Sequence, residues 1–227
     1  MKAEHLQYRK LVLKKLDCLD QNVFNLKIHE TETMQRLGQN SSICQLYAYW
    51  QEIPDNPFIY RTLYQLFEEC ELGDLESTVI CSAIQPPKRT IVKYACGIAK
   101  GLFAYHQIGL IHGGIRPNNI LLDMFNDTKI GPAKKTELEY TRKMRHLISK
   151  YCFRTYLKIY FVFWAPELFI DYPTEQPSDI WALGIIIYVL YTNDYPFDVT
   201  NEESCMNAIK NVTISYRKLD TFPRLQK

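Results

Sequence analysis

The sequence has no apolar run long enough to cross a membrane, and its N-terminus lacks the apolar segment of a signal peptide. The longest strongly apolar run, residues 183–190, is far shorter than the roughly 20 residues that a transmembrane helix needs. We therefore expect neither secretion nor a membrane span.

The sequence also lacks a cysteine framework and an excess of charge. Its seven cysteines are odd in number, widely spaced and contain no Cys-x-x-Cys pair. This pattern argues against a zinc site or a disulfide scaffold and favours a reducing, cytoplasmic compartment. A net charge of +2 gives no general reason to expect nucleic acid as a partner. With 47% hydrophobic and 23% charged residues, the 227-residue chain has the composition of a folded globular protein.

Residues 112–122 are the most informative stretch and read His-Gly-Gly-Ile-Arg-Pro-Asn-Asn-Ile-Leu-Leu. They resemble the catalytic loop of the protein kinases, whose pattern is H-R-D-L-x-x-x-N followed by an apolar strand. His112 and Asn119 stand in the places that this pattern requires. Gly114, however, stands where that family has its catalytic aspartate.

Flanking segments match the same family in the right order. Residues 89–107 form a helical pattern that leads into the loop, with apolar residues at steps of three and four. Residues 178–184 resemble the start of the buried helix αF, in which Asp179 would accept hydrogen bonds from the backbone near His112. Residues 165–167 resemble the A-P-E motif, although the arginine that normally pairs with Glu167 is missing from the sequence.

This resemblance implies a bilobal α+β fold in one domain, residues 1–227. A reduced small lobe would span about 1–69, and a truncated, mainly helical large lobe without the final helices would span about 70–227. The sequence patterns predict strands over 8–16, 43–49 and 58–67 and a helix (αC in the family) over 26–37. The resemblance also implies a short helix (αG) over 202–210.

The small lobe and the hinge would bind a nucleotide. Residues 11–14, Leu-Val-Leu-Lys, resemble the V-A-I-K motif, which makes Lys14 the candidate nucleotide-binding lysine. Glu30 would be its ion-pair partner, with Glu32 as the rival. Met34 would pack in the family's regulatory spine, and Phe67 would be the gatekeeper before the hinge. The implied nucleotide site consists of Lys14, Glu30, Glu68, Glu69, Cys70, Asn119 and Leu121.

Several parts of the catalytic machinery are absent from the sequence. None of the 13 residues before Lys14 is a glycine, so either the sequence is a fragment or the small lobe is reduced. In both cases we expect the phosphates to lose the Gly-rich loop that covers them in the family. Pro132 stands in place of the aspartate of the D-F-G motif, and Ala133 replaces its phenylalanine, a spine residue. Asn119 is left as a vestigial metal ligand, and only Asp123 or Asp127 could replace the missing carboxylates.

A strongly basic segment follows. Residues 129–158 contain nine Lys and Arg against two acids, a formal charge of +7 that leaves −5 for the rest of a chain whose total is +2. An acidic or phosphorylated protein partner could bind between Lys134 and Lys158, and a polyanion or an anionic membrane surface is the alternative.

The resulting hypothesis is a catalytically inactive kinase-like domain, a pseudokinase that acts as a scaffold or allosteric regulator. It leaves weak ATP binding open and does not favour Mg²⁺ binding. Two alternatives remain at this point: an atypical active ATP-dependent protein kinase or transferase, and a basic docking module for an acidic partner.

Overall fold

Three antiparallel strands form the first sheet of the chain. The computed structural model describes residues 10–82, 85–132, 161–170, 175–199 and 201–213. Strands β1 (Leu11–Cys18), β2 (Leu46–Glu52) and β3 (Arg61–Glu68) pair in the order β1-β3-β2. The central strand β3 has the most buried side chains, as expected for a strand with two neighbours.

The observed strands differ from the predicted ones at their ends. The strand predicted over 8–16 continues to Cys18, and residues 8 and 9 lie outside the described part. The strand predicted over 43–49 starts at Leu46, because Ile43 forms an isolated bridge with Ile130 instead. The strand predicted over 58–67 starts at Arg61, because the side chain of Asn56 accepts the backbone N–H of Phe58 in a turn.

Helix α1 (Gln21–Leu37) covers one face of this sheet, where its Phe24 packs with Cys18 and Leu63. It starts before the predicted residue 26, because the carboxylate of Asp20 caps it by accepting the backbone N–H of Val23 at 2.9 Å. It ends before Gly38, whose φ of 60° is readily adopted by glycine.

A second, smaller sheet contains the strands that follow the hinge and the loop. Strands β4 (Gly73–Asp74), β5 (Ile120–Leu122) and β6 (Thr128–Ile130) pair antiparallel in that order. The two sheets are joined by backbone hydrogen bonds: the N–H of Cys44 donates to Ile130 at 2.8 Å, and the N–H of Ile130 donates to Ser42 at 2.8 Å.

Helices make up most of the remaining described chain. Helix α2 (Lys88–Gln107) packs closely on β6, and helix α3 (Gln176–Thr192) is apolar on all sides and packs against α2. The short helix α4 (Glu202–Lys210) has the predicted bounds. One continuous hydrophobic core extends from Met34 in α1 to Ile209 in α4. The α+β fold class is therefore confirmed.

Candidate active site

Asp179 anchors the catalytic-loop segment to helix α3. This aspartate is 2% exposed and lies in the first turn of the helix. Its Oδ2 accepts the backbone N–H of His112 at 3.0 Å, and its Oδ1 accepts that of Gly113 at 2.9 Å. Nε2 of His106 lies 2.9 Å from the same Oδ2. The scaffolding role predicted for Asp179 is confirmed.

Gly114 lies at the centre of the loop's own hydrogen bonds. Its N–H donates to Nδ1 of His112 at 3.2 Å, and its carbonyl accepts from Nδ2 of Asn119 at 2.7 Å. Asn119 is buried, and its amide nitrogen holds the loop backbone. Because glycine has no side chain, this position offers no general base.

The loop is also bonded to the segment after β6. The N–H of Gly131 donates to the carbonyl of Asn119 at 2.9 Å, and Nε2 of His112 lies 3.2 Å from the carbonyl of Gly131. A carbonyl only accepts, so His112 is the neutral tautomer that carries its proton on Nε2 and accepts at Nδ1. Pro132 comes next and offers no carboxylate, and Ala133 lies outside the described residues.

The two other aspartates near the loop are used elsewhere. Asp123 shapes the turn between β5 and β6, where its Oδ1 accepts the N–H groups of Phe125 and Asp127. Asp127 pairs with Lys93 at 3.1 Å. Within the described part of the chain, no three His, Cys, Asp or Glu side chains form a metal-binding group.

These residues do not fit Mg²⁺. The ion prefers an octahedral set of oxygen ligands that includes carboxylates. The side chain of Asn119 would supply at most one neutral oxygen, while its nitrogen is bonded to Gly114.

The candidate lysine lies on the side of the sheet that faces α1. Lys14 stands opposite Gln65 in the pairing of β1 with β3, and the amide nitrogen of Gln65 donates to Oγ1 of Thr31 on α1 at 2.6 Å. Directly paired residues of antiparallel strands point to the same face. The side chain of Lys14 is therefore directed towards the helix.

Glu30 rather than Glu32 is the acid that α1 buries against the rest of the protein. Glu30 is buried and accepts from Nζ of Lys27 at 2.9 Å, whereas Glu32 is exposed. Met34 is buried one turn further along the same face. The exposure of Glu32 argues against it as the partner of Lys14.

Glu68 is the last residue of β3, and Glu69 and Cys70 begin the connection to β4, as the hinge resemblance requires. At the start of this connection Val12 pairs with Phe67, and at its end Leu121 pairs with Asp74, so three of these four flanking side chains are apolar. The thiol Sγ of Cys44 lies 3.9 Å from the carbonyl oxygen of Glu68. A hydrogen bond with Cys70 and burial raise the pKa of the Cys44 thiol, which therefore stays protonated beside the hinge.

The side chain of Glu68 forms an ion pair that the sequence did not suggest. Its carboxylate oxygens lie 2.9 and 3.0 Å from Nζ of Lys129 on β6, and Oε1 also accepts the N–H of Gln45 at 2.7 Å. Burial lowers the pKa of Lys129, but the hydrogen bond and the charge of Glu68 outweigh it, and the net shift is upward. The hinge is thus tied to the strand that precedes Pro132.

The residues around the A-P-E motif pack into the large lobe. Val162 and Phe163 are buried. The ring of Phe163 contacts that of Tyr195 edge-on, with ring centroids 6.3 Å apart. Glu167 is bonded to helix α3, because the hydroxyl of Ser178 donates to its carboxylate at 2.6 Å. The basic residues from Lys134 to Lys158 lie outside the described part of the chain.

Comparisons with known proteins agree with this geometry. The family model "Protein kinase domain" matches residues 3–226. The chain is 26% identical over 183 residues to the probable serine/threonine-protein kinase KCC4 of Saccharomyces cerevisiae. This alignment covers 80% of the chain and 16% of the yeast protein. It is 25% identical over 235 residues to a putative serine/threonine-protein kinase of Acanthamoeba polyphaga mimivirus. That alignment covers 94% of the chain and 50% of the viral protein.

A third relative, protein kinase kin1 of Schizosaccharomyces pombe, is 30% identical over 154 residues, or 67% of the chain and 16% of the relative. The chain thus spans half or less of the length of these relatives. In the described residues, no helix has both the length and the apolar character needed to cross a bilayer. The family match covers nearly the whole sequence, and the chain belongs to the protein kinase superfamily.

Proposed function

We propose that this chain is a catalytically inactive protein-kinase-like domain, a pseudokinase that acts as a protein-interaction scaffold or allosteric regulator. The observation that carries the proposal is the arrangement around Gly114. Its carbonyl and N–H are held by Asn119 and His112, so the loop keeps its scaffold at a position without a carboxylate. General-base catalysis contributes typically about 10²- to 10⁴-fold to a rate, and Gly114 cannot supply it.

A phosphotransfer assay tests this proposal. The chain is incubated with labelled ATP, Mg²⁺ and a generic protein substrate, and the products are analysed by mass spectrometry. We expect no transfer from the natural chain. We also expect none from Gly114→Asp, because Pro132 still offers no metal ligand and phosphoryl transfer depends on charge compensation by the metal. ATP turnover that is abolished by Asn119→Ala would overturn the proposal.

Weak ATP binding through the hinge backbone and Lys14 is compatible with inactivity. The hinge offers a carbonyl at Glu68 with apolar side chains nearby, and Lys14 faces α1, which carries Glu30. A thermal shift assay with ATP, with and without Mg²⁺, measures this binding. We expect a small increase in Tm that does not depend on Mg²⁺ and that Lys14→Met removes; a large Mg²⁺-dependent increase would contradict the loss of the metal site.

An active, atypical transferase is the competing proposal. It would use Lys14, Glu30 and Asn119, and the serine/threonine kinases among the relatives make it worth testing. Covalent transfer of label from ATP to the chain or to a substrate favours this alternative, since a scaffold transfers nothing.

The partner is proposed to be an acidic or phosphorylated protein bound between Lys134 and Lys158. The formal charge of +7 on residues 129–158 supports this proposal. Charge reversal at Arg142, Lys143 and Arg145 should abolish binding of an acidic peptide and remove its salt dependence. Unchanged binding would exclude the segment.

A reducing, cytoplasmic location is proposed as well, and the six free cysteines of the described residues are compatible with it.

A further inference from the structure

Tyr105 lies at the point where α1, α2 and the catalytic loop meet. It belongs to the last turn of α2 and is 0% exposed. Its hydroxyl donates to Sδ of Met34 on α1 at 3.1 Å. Its ring contacts the imidazole of His112 edge-on, with ring centroids 5.2 Å apart. One side chain therefore contacts both the small-lobe helix and the catalytic loop.

The two contacts have different chemistry and connect different parts of the fold. The contact with Met34 depends on the hydroxyl, because a thioether sulfur is a weak acceptor that needs a donor. The contact with His112 depends on the ring, because an edge-to-face pair requires a second aromatic group. His112 is itself fixed by Asp179 and Gly131, so the loop end of this connection is rigid.

The sequence explains why a bridging ring is needed. The family places a phenylalanine of its regulatory spine at position 133, and this chain has Ala133 there. An alanine side chain cannot span the distance between a helix and a loop. Tyr105 contacts Met34 through its hydroxyl and His112 through its ring, and these are the described residues on the two sides of such a connection.

We propose that Tyr105 couples α1 to the catalytic loop in place of the missing aromatic residue, and that it holds α1 in a single position. Because Tyr105 belongs to a core helix and not to the segment after β6, this coupling does not depend on the residues that follow β6 or on nucleotide. A partner that binds α1 would then meet one preorganised surface. The inference stands whether or not the chain transfers phosphate.

Hydrogen–deuterium exchange on the complete chain tests the coupling, with α1 amides compared with those of α3. Tyr105→Phe removes only the hydroxyl, and we expect exchange in α1 to become about fivefold faster, with α3 unchanged. Tyr105→Leu removes the ring as well, so exchange should become at least about tenfold faster in both α1 and residues 112–122. In a Met34→Leu background, Tyr105→Phe should have little further effect, because the acceptor is already gone.

The matched control is Tyr94→Phe, which removes another buried tyrosine hydroxyl from the same helix. That hydroxyl donates to Oδ1 of Asn126 in the turn between β5 and β6, at 2.7 Å. This variant should affect the turn and leave α1 unchanged. Unchanged α1 exchange in Tyr105→Phe, or equal acceleration in α1 and α3, would overturn the proposal. If Tyr105→Leu does not fold, the comparison of Tyr105→Phe in the natural and Met34→Leu backgrounds decides it.

Discussion

Oδ2 of Asp179 accepts the backbone N–H of His112 at 3.0 Å, across 67 residues of sequence. Oδ1 accepts the N–H of Gly113, so a single carboxylate satisfies two buried backbone donors. A scaffold of this kind is useful without catalysis, because it fixes the shape of the loop. Its retention beside Gly114 is compatible with a domain that is kept for its shape.

Removal of the Asp179 carboxylate should strongly destabilise the protein. Asp179→Ala leaves two buried N–H groups without an acceptor, and we expect the free energy of unfolding to fall by at least about 3 kcal/mol. Asp179→Asn keeps one acceptor oxygen and should have an intermediate effect. Urea denaturation measures both. The control is Asp127→Asn, which breaks an exposed pair with Lys93 and should change the stability by less than about 1 kcal/mol; a similar loss in all three variants would contradict this role.

The ion pair between Glu68 and Lys129 should couple the hinge to β6. Both side chains are largely buried, so Lys129→Met should reduce the free energy of unfolding by about 2 kcal/mol, between the values for exposed and fully buried pairs. In a double-mutant cycle with Glu68→Gln, we expect a coupling energy of about 1 kcal/mol or more.

A second cycle on Lys15 and Asp17, an exposed pair 3.4 Å apart on β1, provides the reference for this coupling. Its coupling energy should be clearly smaller than that of Glu68 and Lys129, because solvent screens an exposed pair. Equal coupling in the two cycles would show that the hinge pair contributes no more than a surface pair does.

Glu76 should make the protein less stable as the pH rises. Burial and the charge of Asp74 raise the pKa of this carboxyl above its ordinary value of 4.5, although Arg116 opposes the shift. The folded state then binds a proton more tightly than the unfolded state, so the stability falls as the pH increases from the ordinary pKa through the raised one. Relative to the natural chain, Glu76→Gln should gain stability at neutral pH and lose this advantage at a pH below 4.5. Urea midpoints at several pH values measure the difference, and a difference that is constant with pH would refute the assignment.

The sequence predicted the elements whose residues carry a local signal. The helix over 89–107 has clear periodicity and lies nearly where it is predicted, while the helix over 202–210 follows from the family resemblance and has the predicted bounds. The early start of α1 also had a local signal, because Asp20 is a good capping residue. The apolar periodicity begins only at Leu26, and a prediction based on it places the start of the helix too late. Asp179 was predictable because its motif surrounds it directly in sequence.

Contacts between distant residues could not be predicted in this way. Lys129 meets Glu68 across 61 residues, and Tyr105 meets Met34 across 71. Tyr105 fits the apolar pattern of a helix, and nothing in that pattern shows what its hydroxyl reaches. The choice between Glu30 and Glu32 likewise depended on the rotation of α1 over the sheet, which sets one acid inward and the other outward.

Two glycines on helices should respond in opposite directions to a methyl group. A Cβ at Gly101 of α2 would lie 2.6 Å from Cδ1 of Ile130 and 2.8 Å from the carbonyl oxygen of Ser42, and the backbone of Ser42 is fixed by its bond to β6. Gly101→Ala should therefore force α2 away from β6 and lower the free energy of unfolding by about 1–3 kcal/mol. A Cβ at Gly184 of α3 would meet nothing within 4 Å.

Gly184→Ala should therefore raise the stability by about 0.5–1 kcal/mol, the helix-propensity advantage of alanine over glycine. Thermal or urea denaturation of the two single variants measures both effects under the same conditions. The opposite signs follow from one difference, since both glycines lie inside helices and only Gly101 contacts a strand. A stabilised Gly101→Ala variant would mean that the close approach of α2 to β6 does not require glycine.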